Sequence, residues 1–218
     1  MKDFTVYISE KLKITKKMLS PKETLTPKTK NDLIIMIIHE VQSVDESGLL
    51  DLNHIDISNV DNLNSVFHQK HFPDNKIMLN IDISSWSLDH INDMEFLFYN
   101  DKINSVILPD TKKLDEYLFH NCRNLTEVVL PASLTEIDNY FMDYCDKLKT
   151  IEIPDSVKKI GCSAFRNCSS LTNVILPDSI TNMREGVFSN CENLKSIKLS
   201  KQLKSLEYDM FLYCSNLE

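Results

Sequence analysis

The sequence predicts a repeat solenoid, mixed α/β to mainly β, with one short parallel strand per 23-residue coil and a strand-and-helix cap at its N-terminal end. Three observations predict it. Cys122, Cys145, Cys168, Cys191 and Cys214 are each 23 residues from the next. The segments opening at Leu125, Leu148, Leu171 and Leu194 share the pattern Lxx(I/V)x(L/I)PxS(L/I/V)xx(I/M/L)xxxxFxxC in that same register. A unit of this size cannot bury its apolar edge alone, so neighbouring copies must stack to close a continuous core.

The first 48 residues read as a separate piece. Phe4, Val6 and Ile8 alternate with polar residues, as do Leu12 and Ile14, which suggests two short strands. Pro21 and Pro27 mark a loop, and Lys28 to Val44 then reads as a helix. Thr29 or Asn31 is its candidate N-cap, and Leu33, Ile34, Ile37, Ile38 and Val41 form its apolar face. An open solenoid end exposes core, so a capping role is expected here. Residues 1–30 also carry eight lysines against three acids, which makes a contact with an acidic partner the competing expectation.

Residues 49–218 read as the solenoid. Each full unit opens with an LxxIxL run whose last two apolar positions share one strand face. Pro109, Pro131, Pro154 and Pro177 end these strands, because proline has no ladder donor. A second apolar pair follows, such as Val157 with Ile160, and then Phe165 and Cys168, three apart, which suits a tight helical turn pointing inward. Met142 stands where the pattern has Phe, and Ser200 where it has Pro. An earlier, shortened copy opens at Ile103. Two further units have a different wording: DISNVDNLNSVF ends at Phe67, and SSWSLDHINDMEFLF ends at Phe98, with HQKHFPDNK between them as a loop insertion. The chain stops at Glu218 just as another unit opens at Leu217, so truncation and self-association through an open C-terminal end are expected.

These units resemble the leucine-rich repeats of the BspA, or Treponema pallidum, type, and WSLDHINDMEFLF resembles the sister repeat of BspA-like surface proteins. The likeness covers residues 49–218. PKTKNDLIIMIIHEV resembles a segment preceding such repeats in proteins of gut bacteria and their phages. The 23-residue register predicts a curved, right-handed solenoid of about six coils, whose extended face suits protein binding. The resemblance implies, as an alternative, a cell-surface adhesin or host-interaction protein.

Composition narrows the function. The net charge of −8 does not supply the basic field of a nonspecific nucleic-acid binder. Gly48, Gly161 and Gly186 are too far apart for a GxGxxG or Walker loop. The longest apolar run, Leu33 to Ile38, is too short to insert across a membrane, and MKDFTVYISEKLKITKKML has no apolar leader core. A cytoplasmic location is expected, or a surface or secreted one if the true start lies upstream. No catalytic motif is recognisable, so no enzyme and no cofactor is expected.

The remaining candidates have bland readings. The cysteines read as small buried hydrophobes with free thiols. His68 and His71 have no third ligand at metal spacing, and Asp74 alone does not supply one. Trp86 reads as a core or edge position.

The informative surface is the outward face of the strands, which alternation assigns to Ser105 and Ile107, Glu127 and Val129, Thr150 and Glu152, Asn173 and Ile175, Ser196 and Lys198. The stripe Ile107, Val129, Glu152, Ile175, Lys198 mixes apolar and charged residues, and it is the expected contact for an unknown protein partner.

Overall fold

The computed structural model describes residues 22–73 and 75–218. The expected strand pair of Phe4 to Ile14, and Asp74, lie outside the described residues.

Helix α1 spans Lys30–Gln42, and Thr29 is its N-cap. The Thr29 hydroxyl accepts from the Asp32 N–H at 3.2 Å, and the Asp32 carboxylate accepts from the Thr29 N–H at 3.0 Å. This reciprocal box satisfies two donors that a helix start otherwise leaves orphaned. Leu33, Ile34, Ile37 and Val41 are buried against the first coil, while Ile38 is only half-buried. The chain before the helix is tied to the same coil. Leu25 donates to the His54 carbonyl, and the Asp56 N–H donates back to the Leu25 carbonyl. One core cluster therefore runs from α1 through the coils.

The strands form parallel ladders between equivalent positions of successive coils. The first sheet is β1 (Leu49–Asp51), β2 (Leu79–Asp82), β3 (Ile103–Ile107) and β4 (Glu127–Val129), in that order. Leu50, Ile81, Val106 and Val128 face one another along its inner side. The second sheet is β5 (Glu136–Ile137), β6 (Lys159–Ile160) and β8 (Asn182–Met183), with Ile137, Ile160 and Met183 as its inner column. β7 (Asn173–Ile175) pairs with β9 (Ser196–Lys198). Leu125, Leu148, Leu171 and Leu194 are each 0% exposed, as the shared register requires.

The third side of each coil is a turn rather than the helical turn expected from the Phe–Cys spacing. Tyr117 and Asn121, Tyr140 and Tyr144, Ser163 and Asn167, Gly186 and Asn190, Asp209 and Tyr213 all have positive φ. Two left-handed residues per turn let the chain reverse while Phe and Cys still point inward. Gly186 holds this shape without a Cβ penalty, whereas its counterparts Tyr117 and Tyr140 hold it against that penalty.

Phe67, Phe98 and Phe119 stack at 5.2 and 4.9 Å, and Phe165, Phe188 and Phe211 stack at 5.5 and 6.0 Å. Met142 interrupts this column, since its N–H bonds the Ala164 carbonyl in the same way that Phe119 bonds Phe141 and Phe165 bonds Val187. Phe141, one residue earlier, meets Phe119 edge-on at 5.5 Å and occupies the position held in the next coil by Ala164. A large residue followed by Met in one coil thus faces a small residue followed by Phe in the next, and the layer keeps its volume.

Cys122, Cys145, Cys168 and Cys191 are buried beside this column, but Cys162 and Cys214 are half-buried. Cys122 Sγ donates to the Phe98 carbonyl at 2.7 Å, and the equivalent contact recurs down to Cys214 with Phe188 at 3.0 Å. Burial pushes the Cys122 thiol up to about 12. This is the environment of an inert structural cysteine.

Candidate binding surface

The outward strand face follows the expected alternation, but its N-terminal part is not free. Ile107 pairs with Asp82 and Val129 in the outer row and lies outside the core cluster, yet it is only 1% exposed. The expectation that it meets solvent is corrected on that number. Ser105 is also buried, and its hydroxyl donates to Asn80 Oδ1 at 2.8 Å. Asn104 Nδ2 donates to the same oxygen, and Asn80 Nδ2 donates to the Ser47 carbonyl, so this end of the face is a closed polar ladder. Glu127 and Val129 are half-buried. Thr150, Glu152, Asn173, Ser196 and Lys198 are exposed, and Ile175 is 66% exposed at the centre of that group. The accessible surface therefore runs from Val129 to Lys198.

The same face contains a break that the repeat pattern does not announce. The first sheet ends at β4, and on this face the next coil contributes no strand, so neither β4 nor β7 has a partner there. Among the described residues, no main-chain N–H or C=O of Thr150, Ile151, Glu152 or Ile153 is hydrogen-bonded. A crevice of about 540 Å³ opens between these residues and β4. It is lined by Thr126, Val128, Val129, Leu130, Glu152 and Ile153, among others. The opening reaches the core: Val128, Leu130, Ile151 and Ile153 are 7–9% exposed, against 1–2% for Val106, Leu108, Val174 and Leu176 in the flanking coils.

The other two sides stay shut at this level. β5 pairs with β6, and Tyr140, Met142 and Tyr144 each donate to the next coil's turn. The gap is therefore a wedge confined to the strand face.

The turn side carries an aromatic ladder. Phe96, Tyr117 and Tyr140 stack at 4.9 Å each, and the Arg166 guanidinium sits 5.2 Å over the Tyr140 ring. Arg166 also forks onto the buried Asp143 carboxylate at 3.1 and 2.8 Å, and Asn167 donates to it at 2.9 Å. His120 Nδ1 approaches the same group at 3.4 Å. Burial pushes the Asp143 carboxyl up, but His120, Arg166 and Asn167 outweigh it and hold it below its ordinary value. The sequence signal was present, an aromatic two places before the Phe site in consecutive units. Arg166 and Asn167 satisfy the carboxylate, while His120 Nδ1 is left without a hydrogen bond among the described residues, and the cluster serves as architecture.

The two histidines of the insertion are similarly occupied. His68 stacks on Tyr99 at 4.9 Å, and its Nδ1 accepts from the Lys70 N–H. Among the described residues no group of three or more His, Cys, Asp or Glu is placed to hold a metal ion. Trp86 is a core residue, 4% exposed, whose indole N–H donates to the Leu52 carbonyl at 3.0 Å.

A family model for the BspA type leucine-rich repeat region matches residues 94–218, in six copies. The chain belongs to the BspA-type leucine-rich repeat family. Its solenoid is similar to that of a leucine-rich repeat protein from Bacteroides ovatus, at 27% identity and a TM-score of 0.52 over 54% of this chain. The match takes in only 30% of the Bacteroides protein. The leucine-rich repeat protein of T. pallidum has the same fold, at 23% identity and a TM-score of 0.51, with 64% of this chain and 78% of that one covered. A search of curated proteins found no match. Among the described residues no helix is long and apolar enough to cross a membrane. The two coils before residue 94 extend this leucine-rich repeat stack in the same parallel register, through β1 and β2.

Proposed function

We propose that this BspA-type repeat chain is a non-catalytic interaction module that binds a protein partner on the accessible part of its strand face. The observation carrying this reading is Ile175. It is a β-branched apolar residue 66% exposed on a strand, set between Glu152 and Lys198 in the outer row. An apolar centre with charged neighbours suits a contact whose core is desolvated and whose rim orients the partner. Parallel stacking places equivalent side chains of successive coils about 4.8 Å apart, so one partner can touch several coils without any of them moving.

The test replaces Val129 and Ile175 by Lys and follows hydrogen exchange of the wild-type complex once a partner is captured and identified. Both variants are expected to keep the wild-type circular dichroism spectrum and to lose the partner. Protection in the wild-type complex is expected over 127–129, 150–152, 173–175 and 196–198. A partner retained by both variants, with protection on the turn side instead, overturns the reading.

A further inference from the structure

We infer that the crevice beside β4 receives an extended, basic peptide segment, whose main chain hydrogen-bonds the open coil edge and whose small apolar side chain enters the gap. This inference rests on the strand-face reading and names the kind of segment the partner presents there. The unpaired main-chain groups of Thr150 to Ile153 argue for a peptide. A row of unsatisfied amides and carbonyls beside a strand edge is a template for another extended chain, because only a backbone supplies donors and acceptors at that spacing. The residual exposure of Val128, Leu130 and Ile153, 7–9% on residues that belong to the core, argues for an apolar side chain, since the gap between them is floored by core carbon. The volume of about 540 Å³ exceeds the needs of one such side chain and leaves room for the main chain at the mouth.

Charge gives the segment its sign. Glu152 and Asp155 stand on the crevice wall; among the described residues neither is in an ion pair and no cationic side chain lines the opening. A lysine or arginine on either side of the buried residue meets these carboxylates, and an acidic segment is repelled by them. The alternation follows from the strand itself: side chains two apart share a face, so basic residues flank the apolar one across the mouth.

The experiment uses the full chain and three labelled, end-blocked heptapeptides read by fluorescence anisotropy. One alternates lysine and valine, one alternates glutamate and valine, and one is the lysine peptide with alternate amides N-methylated. Saturable binding of the lysine peptide is expected. The glutamate peptide should bind at least about tenfold more weakly, and the N-methylated one about tenfold more weakly for its lost main-chain bonds. Glu152→Lys with Asp155→Lys should weaken the lysine peptide by about tenfold. Tyr208→Ser, an exposed residue outside both the crevice and the strand face, should leave it unchanged. Exchange of the 150–153 amides should slow when the lysine peptide is bound. Equal binding of the methylated and unmethylated peptides overturns the main-chain role, and equal binding of the lysine and glutamate peptides overturns the charge assignment. Absence of saturable peptide binding, with protein-partner protection still seen at 173–175 and 196–198, overturns the crevice and leaves the strand-face reading standing.

Discussion

Asp143 is 0% exposed and carries three donor groups around one carboxylate, so its removal does more than delete a contact. In Asp143→Asn the Arg166 charge loses its partner. The side chain of Arg166 is about one-third exposed and recovers part of its hydration, so a loss of about 2–3 kcal/mol is expected in urea unfolding rather than the larger cost of a fully buried pair. The pH dependence follows from the depressed folded value of this group. Its stabilisation is complete above the unfolded carboxylate range, about pH 4, and is lost as the pH falls through the lower folded value. The Asn variant should therefore show a flatter acid limb.

Gly161 is packed against the neighbouring coil's backbone. A Cβ there would meet the Asn139 nitrogen at 2.6 Å and its Oδ1 at 2.7 Å, and the first is backbone that cannot swing aside. Gly161→Ala should cost about 1–3 kcal/mol by thermal unfolding. For the thiols, six free groups are expected on unreduced, denatured protein. In the native state Cys162 and Cys214 should react with an aromatic disulfide well before the four buried ones. A native count of six fast thiols contradicts the burial.

Among the elements, what was legible in the sequence was whatever repeats within one coil. The cysteine period set the register of strands and turns, and the apolar stripe placed the helix, expected over Lys28 to Val44 with Thr29 or Asn31 as cap, near its actual Lys30–Gln42 span. Alternation gave the row that Ile107 shares with Val129 and Ile175 with Lys198. What it does not give is coverage, because whether Ile107 meets water depends on the side chains packed around it from neighbouring coils. The crevice was invisible for the same reason. LTEVVLPASL and LKTIEIPDSV fit one pattern, and pairing between them is a property of neither alone. The Phe141–Met142 exchange lies between these cases, since the substitution is plain in the sequence but its compensation by Ala164 appears only when coils are stacked. That compensation has an energetic signature. Met142→Phe alone should overpack the layer and cost about 1–3 kcal/mol. The double variant Phe141→Ala with Met142→Phe repeats the wording of the next coil and should recover most of that loss. An additive double mutant would show that the two sites do not share space.

At the scale of the whole molecule, α1 closes one end of the core, with Ile37 at 0% exposure against the first coil. Ile37→Ala should destabilise the chain by about 2–5 kcal/mol. A stack of this kind holds together through nearest-neighbour coupling, and its cooperativity is only as strong as the weakest junction. Where β4 lacks a successor, the coupling between adjacent units loses the strand contribution and keeps the other two. The next junction lacks it too, since β7 pairs only with β9, so the chain is two ladder-bonded blocks, one from α1 to the coil that opens at Leu125 and one from the coil that opens at Leu171, joined through the coil that opens at Leu148. Denaturant should separate them. Tryptophan fluorescence from Trp86 reports the first block alone, and far-ultraviolet dichroism reports both, so the two curves should have different midpoints, whereas a fully coupled stack would melt at one.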